Sequence, residues 1–325
     1  MQRNSFVIAA LGAIALAAAA VAGPLGAQPY PNKPLRLILP MAPGGPTDIL
    51  GRIVQTRFTE LLGQTVVPDN RAGAGSNVGT EIAVKARPDG YTILLSSSAL
   101  VANISIYPKM PYDLLADLAS ITLIGVAPNW LVVNATLPVS SVKDLIALAK
   151  AKPGELTYGS AGIGSPTHIA PEMFQMMTGT KMLHVPYKGG NDSIVALLGG
   201  SVTMCFASTP TALPLVRSGR LKALGVTSLK RYSGMPEIPT IAETLPGFDL
   251  VGFYAVLAPA RTPPPIVARL NRGIVDAVKT PEVANRLTRD GFEVTGSSPR
   301  ELDAFFRTEI PKYGKIIRAA NIRPE

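Results

Sequence analysis

Short apolar runs that stop at proline or glycine, each followed by a stretch with helical spacing, recur along almost the whole chain. The first is Leu35-Arg36-Leu37-Ile38-Leu39, fit for a strand buried on both faces, and it stops at Pro40. A helix follows over 47–62, with Thr47 placed to cap it. Ile49, Leu50, Ile53, Val54, Phe58, Leu61 and Leu62 form its inner face, and Gly63 marks its end. The pattern then predicts strands at 65–67, 91–95, 156–158, 184–187, 202–207 and 221–227. Helices alternate with them over 77–86, 141–151, 167–177, 192–198 and 210–217, and helices over 266–279, 281–289 and 299–320 close the chain. Such alternation builds an open α/β sheet. Two apolar extended segments, 121–135 and 250–257, break the rhythm and read as two cables crossing between two domains. The domains are then 28–128 with 252–325, discontinuous in sequence, and 129–251.

The start of the chain has a different character. Arg3 is its only early charge, and from Ser5 to Ala22 the residues are almost all small or apolar. A basic start, an apolar run and small residues at its end make a secretory signal peptide over 1–27, cleaved after Ala27 or Ala22. The expected product is an exported, periplasmic protein.

Composition removes several functional classes. One cysteine, Cys205, leaves no internal disulfide and no cysteine-cluster metal site, and two histidines, His168 and His184, leave little for histidine metal chemistry. Cys205 lies in an apolar run and reads as an inert core thiol. The net charge of +9 comes from scattered basic residues, and aromatics are 6% of the chain, so no stacking platform for nucleic acid is present. That charge suits mild attraction for small anions. No G-x-S-x-G, G-x-x-x-x-G-K-[ST] or H-E-x-x-H motif occurs. A hydrolase would have to use His168 with Ser160 or Ser165.

The candidate chemistry lies in loops between strands and helices. Pro43-Gly44-Gly45-Pro46-Thr47-Asp48 allows close backbone approach, and the helix start behind it offers unpaired N–H groups to a carboxylate. Arg71-Ala72-Gly73-Ala74-Gly75-Ser76-Asn77-Val78-Gly79 is off by one from a dinucleotide fingerprint and fits a smaller ligand or a flexible turn. Ser96-Ser97-Ser98 follows an apolar strand. Gly159-Ser160-Ala161-Gly162-Ile163-Gly164-Ser165-Pro166-Thr167-His168 again joins a strand to a helix, now in the other domain. Two helix starts facing each other would grip an acid from both sides.

In order along the chain, these motifs resemble the substrate-binding receptors of tripartite tricarboxylate transporters, the Bug-type proteins. The resemblance is carried by Tyr30-Pro31-Asn32-Lys33-Pro34, the Pro43–Asp48 loop, Leu62-Gly63-Gln64-Thr65-Val66-Val67, Asn70-Arg71-Ala72-Gly73-Ala74-Gly75 and Pro88-Asp89-Gly90-Tyr91-Thr92. It continues through the Tyr158–His168 segment, Val185-Pro186-Tyr187-Lys188-Gly189, Leu198-Gly199-Gly200, Pro239-Thr240-Ile241-Ala242-Glu243 and Pro259-Ala260-Arg261-Thr262-Pro263. It implies a type II periplasmic binding protein, two α/β domains joined by two crossing segments around a ligand cleft. By that resemblance the protein is not an enzyme and needs no cofactor or metal. It implies a monomer that binds a small organic acid (a mono- or dicarboxylate, an amino acid or an aromatic acid) and delivers it to membrane transporter subunits. A sensor subunit signalling through a membrane kinase would look the same. The family's ligand loops map onto Gly44, Gly45, Thr47 and Asp48 in one domain and Ser160, Gly162, Ser165, Thr167 and His168 in the other. Asn77, Ser97 and Ser208 are secondary contacts by position. The chain departs from the family at Met41-Ala42, Gly190-Asn191-Asp192 and Gly252-Phe253; Asp192 either favours an amine-bearing solute or caps its helix.

Overall fold

The computed structural model describes residues 30–323, so the signal-peptide expectation lies outside the described residues. Contacts divide the chain between Asn32 and Lys33, and every element named below lies in the second unit. Strand β1 (Leu35–Leu39) is buried at four of five positions and leads into helix α1 (Pro46–Leu62). Gly45, not Thr47, is the N-cap of α1, because Pro46 takes the first helical position with its φ already suited to it. Gly63 ends α1 in the left-handed conformation, its N–H bonded to Thr59 O. Strand β2 (Val66–Asn70) runs longer than expected and includes Pro68, tolerated because β2 is an edge strand. Helix α2 (Asn77–Val84), strand β3 (Thr92–Ser97), helix α3 (Ala99–Ile106) and the short α4 (Leu114–Asp117) follow. Strand β4 (Leu118–Asn134) is the first crossing segment.

The second half repeats the scheme. Helix α5 (Val142–Ala151) is capped by Ser141, whose hydroxyl accepts from Asp144 N–H. Then come β5 (Thr157–Ser160), α6 (Pro166–Thr178), β6 (Leu183–Pro186), α7 (Gly190–Leu198), β7 (Met204–Ser208), α8 (Thr209–Arg217) and β8 (Leu221–Val226). The chain returns through β9 (Val251–Pro259) and ends with α9 (Pro264–Lys279), α10 (Pro281–Arg289), β10 (Glu293–Val294) and α11 (Pro299–Ala319).

The strand order is β2-β1-β3-β9-β4-β7-β5-β6, with β8 and β10 also paired to β4. β1 is parallel to β2 and β3, and β5 is parallel to β6 and β7, so each half has a parallel core. β4 joins them. Its residues up to Pro128 pair antiparallel with β9, and from Asn129 onward they pair with β7 and β8. Successive β4 side chains point to opposite faces. Leu131 and Val133 therefore enter one hydrophobic core, while Trp130 and Val132 enter a second core with Leu197, Cys205, Leu213 and Tyr232. The first core continues across the crossing, joining Leu94 and Phe253 to Phe174 and Phe206.

Helix α11 packs on α3, β4 and α6, touching elements of both halves. A Ser298–Glu301 capping box and Pro299 at its first turn start it. Its Phe306 is 1% exposed and meets the Phe253 ring edge-on at 6.0 Å. Phe306→Ala should lower the unfolding free energy in urea by about 3–5 kcal/mol, the usual cost of an aromatic-sized core cavity.

Candidate functional site

Parallel strands bring the loops at their carboxyl ends to one edge, where open α/β sheets bind ligands. In the first half β1 opens into α1, β2 into α2 and β3 into α3; in the second β5 opens into α6, β6 into α7 and β7 into α8. A cavity of about 750 Å³ lies at these edges. Ala74, Gly75, Asn103 and Tyr107 line it from the first half. Gly162, Ile163, Tyr187, Lys188 and Asp192 line it from the second. The halves touch where Gly164 meets α3, since a Cβ at Gly164 would overlap Ile106 Cδ1. Lys188 and Asp192 are exposed and form no ion pair within the described residues.

The first-half wall is a strained turn held by a buried amide. Ala74, Gly75 and Ser76 all have positive φ, at 44°, 61° and 88°. Such conformations persist only where neighbours fix them. Asn103 Nδ2 donates to Gly75 O at 2.7 Å and to Asn77 Oδ1 at 3.0 Å, and Tyr112 donates to the same Asn77 oxygen at 2.8 Å. Burial pushes the Tyr112 phenol up to about 12, so it stays a donor. Neither Asn103 nor Tyr112 is singled out by the motifs. The signal for Asn103 is an amide directly after the apolar stretch Ala99-Leu100-Val101-Ala102.

Beside this wall stands the Pro43–Asp48 loop, tied to β2 by Asn70, whose amide donates to Met41 O and Asp48 Oδ1. Asp48 is buried and faces inward, accepting also from Gly44 N–H at 2.9 Å and Arg52 Nε at 3.0 Å. Burial raises its carboxyl, but the hydrogen bonds from Arg52, Gly44 and Asn70 outweigh that and hold it below the usual carboxylate range. The N–H groups of Gly45, Thr47 and Asp48 have no acceptor within the described residues. They are the orphan donors of a helix start, where the macrodipole favours negative charge, although Thr47 and Asp48 are buried.

The second-half loop is organised differently. Ala161 N–H donates to Thr167 Oγ1, Gly162 N–H to Ser160 Oγ, Gly164 N–H to His168 Nδ1 and Ser165 N–H to Gly162 O. Only the Ile163 N–H of Ala161–Ser165 is left without an acceptor in the described residues. Ser165 Oγ donates to Gly162 O at 2.7 Å, so it ties the loop rather than capping α6. His168 is buried behind the loop and stacks on His184 with ring centroids 3.9 Å apart. His184 Nε2 is 2.6 Å from Ser160 Oγ and its ring stacks on Tyr158, whose hydroxyl donates to Glu172. Burial, then the neighbouring His184, pushes His168 down to about 3, and burial pushes His184 down to about 4. Burial pushes the Glu172 carboxyl up against donations from Tyr158 and Gln175. Ser160 is fully buried, so its contact with His184 offers no nucleophile to a substrate.

Of the residues singled out in the sequence, Gly162 lines the cavity directly. Ser160, Ser165, Thr167 and His168 form the framework of its loop, and Asn77 anchors the opposite turn. Gly44, Gly45, Thr47 and Asp48 are not among the residues that line the cavity. Ser97 accepts from Ala99 N–H at the end of β3, and Ser208 shares a hydrogen bond with Thr211 at the end of β7. Asp192 makes no side-chain cap bond at α7. Cys205 is buried, its thiol pushed up to about 12 by burial. Among the described residues no group of three acidic, histidine or cysteine side chains could hold a metal, and no helix is long and apolar enough to cross a membrane.

Two α/β domains joined by two crossing segments, with a cleft between their strand ends, define a solute-binding protein of the periplasmic type II class. Residues 50–322 match the family described as the tripartite tricarboxylate transporter family receptor, and the chain belongs to that family. Among its relatives, Protein BugT of Bordetella pertussis is 38% identical over 96% of each chain. The structure titled R. palustris Rpa4515 with adipate is 34% identical, with a TM-score of 0.83 over 91% of this chain and 100% of the other. MatC from Rhodopseudomonas palustris, with bound malate, is 27% identical, with a TM-score of 0.79 over 89% of this chain and 100% of the other. The family is one of solute receptors, not enzymes.

Removing the Asn103 amide leaves Gly75 O and the Asn77 side chain short of a buried donor, so Asn103→Ala should cost about 1–3 kcal/mol in chemical denaturation. Two histidines held neutral also fix the sign of an acid effect. Unfolded imidazoles take up protons at about 6.5, whereas the folded ones resist down to about 4 and about 3. Their contribution is therefore fully present above about pH 6.5 and is lost as pH falls towards 4. Melting temperature should fall through that window, and more steeply than in His184→Phe.

Proposed function

We propose that this chain is a periplasmic receptor that captures a small organic acid between its two domains and hands it to the membrane subunits of a tripartite tricarboxylate-type transporter. The observation that carries this reading is the cavity of about 750 Å³ at the strand ends of both halves, with Lys188 in its wall. Its size suits small-molecule sites, which span roughly 300–1,000 Å³. The adipate and malate in two similar structures support a carboxylate as the recognised group. The periplasmic origin of structural neighbours supports export, with the signal peptide removed after Ala27 or Ala22.

The domains are 28–128 with 252–325, and 129–251, and the receptor works as a monomer. The open amides behind Gly44, at Gly45 and Thr47, receive one end of the acid, while Asp48 keeps that loop in shape. Gly162 forms the opposing wall, and Ser160, Ser165, Thr167 and His168 hold it there. Asn77, Ser97 and Ser208 complete the rim from the start of α2 and the ends of β3 and β7. Lys188 supplies a positive charge to the acid. Asp192 favours a donor group, hydroxyl or ammonium, at the solute's other end. Solute binding favours the closed arrangement because only there does it touch both domains.

A melting-temperature screen of mono- and dicarboxylates, hydroxy acids and amino acids tests the reading, since a solute at ~100 times its dissociation constant adds about 2.7 kcal/mol. Gly45→Val adds a side chain whose Cβ meets only Ala42 O at 3.6 Å, so the fold should survive while the shift disappears. Lys188→Gln should weaken binding about tenfold, the loss of one charge-assisted contact. No shift with any acid, or full shifts in both variants, would overturn the reading.

A further inference from the structure

The stacked histidines behind the second-half loop do no work that packing alone would require. Two apolar rings would fill the same space without desolvating imidazole nitrogens. Their nitrogens instead meet the loop that walls the cavity. His168 Nδ1 accepts from Gly164 N–H at 3.1 Å, and His184 Nε2 lies 2.6 Å from Ser160 Oγ, which in turn accepts from Gly162 N–H at 3.1 Å. Because Nδ1 of His168 accepts, a neutral ring carries its proton on Nε2, which lies 3.9 Å from Glu172 Oε1.

We propose that His168 and His184 are positioning residues that hold the Ser160–Ser165 loop in its cavity-lining form only while both rings are neutral, so that acid releases the loop. A proton on His168 Nδ1 would set N–H against the Gly164 N–H, and the loop must let go. A proton on either ring places a cation against its stacked neighbour. The titratable groups facing the pair are Tyr158 on β5, Glu172 on α6 and, for each ring, the other histidine. Among the described residues Glu172 is the group facing the pair that could stabilise a cation, but burial raises its own carboxyl and Tyr158 and Gln175 already occupy its Oε1. On the cavity side the loop meets Ile106, an apolar contact that offers the ring no charge. Released, the imidazoles are hydrated and titrate as ordinary histidines, which drives the opening as pH falls. The consequence for solute release rests on the proposed function, whereas the latch itself does not.

The test is therefore run first without solute, as hydrogen exchange of the Gly164 amide in the mature chain, corrected for intrinsic rates. In the wild type the opening constant should rise several hundredfold between pH 7 and pH 5, about twentyfold for each of the two imidazoles returning to a normal titration. His168→Asn places a carbonyl near the Nδ1 position without a titrating group, so protection should persist and its pH dependence should drop to the roughly twentyfold share of His184 alone. His168→Phe keeps the ring and loses the acceptor, so Gly164 should exchange fast at every pH. Nitrogen-15 spectra of the histidine rings should show the Nε2–H tautomer for His168 in the wild type, a readout independent of whether either variant folds. Protection that ignores pH in the wild type, the other tautomer, or unchanged pH dependence in His168→Asn would overturn the latch. Adipate is the binding probe for the second arm, its dissociation constant rising more steeply from pH 7 to pH 5 in the wild type than in His168→Asn. Failure to bind adipate at pH 7 counts against that acid as solute, and the exchange arm decides the latch alone.

Discussion

Up to Pro128, β4 is an antiparallel partner of β9; from Asn129 it is the partner of β7 and β8. At that change of partner the backbone polar groups need acceptors and donors that no single ladder supplies. Hydroxyls supply them. Asn129 N–H donates to Thr227 Oγ1, Thr209 Oγ1 donates to Pro128 O, and Trp130 Nε1 donates to Thr209 Oγ1. The crossing is thus pinned by threonines and by a fully buried tryptophan. Because the parallel strands on either side of β4 end at this level, their loops converge on one cavity.

The walls of that cavity solve the problem of holding a strained loop in different ways. On the first side, a polar scaffold of Asp48, Asn70, Asn77 and Asn103 holds the turns and leaves the amides at the start of α1 open. On the second side, hydroxyls and one imidazole consume the loop's own amides. Two glycine-rich loops with similar compositions therefore do different work. The first keeps backbone N–H groups without acceptors among the described residues, outside the cavity lining, and the second forms a shaped wall with Lys188 and Asp192 beside it.

Sequence patterning made the alternation of elements, the two crossing segments and the long terminal helix legible, because each is set by local apolar spacing and by proline or glycine stops. It placed the cap of α1 at Thr47 because a hydroxyl is the commoner cap; Pro46 moved the helix start to Gly45. Helix α3 escaped because its apolar residues run almost unbroken and carry no helical periodicity: Leu100, Val101, Ala102 and Asn103 are all buried. The pair His168–His184 was equally invisible. Its members are sixteen positions apart on different elements, and only the parallel pairing of β5 with β6 brings Tyr158 and His184 side by side. Which amides are consumed and which stay open is a tertiary fact, fixed by side chains such as Thr167 and Asp48 whose partners no spacing rule names.

How the halves can move follows from where they are joined. The main core runs through the crossing, and α11 packs on α3 and α6 at once, with Tyr313, Ile316 and Ile317 buried in that core. Separating the halves at that level would expose apolar surface at roughly 25 cal/mol per Å². At the cavity mouth, by contrast, Gly164 against Ile106 is a small apolar touch, and the charged residues are solvated. Resistance to separation is thus concentrated at the crossing and is slight at the mouth.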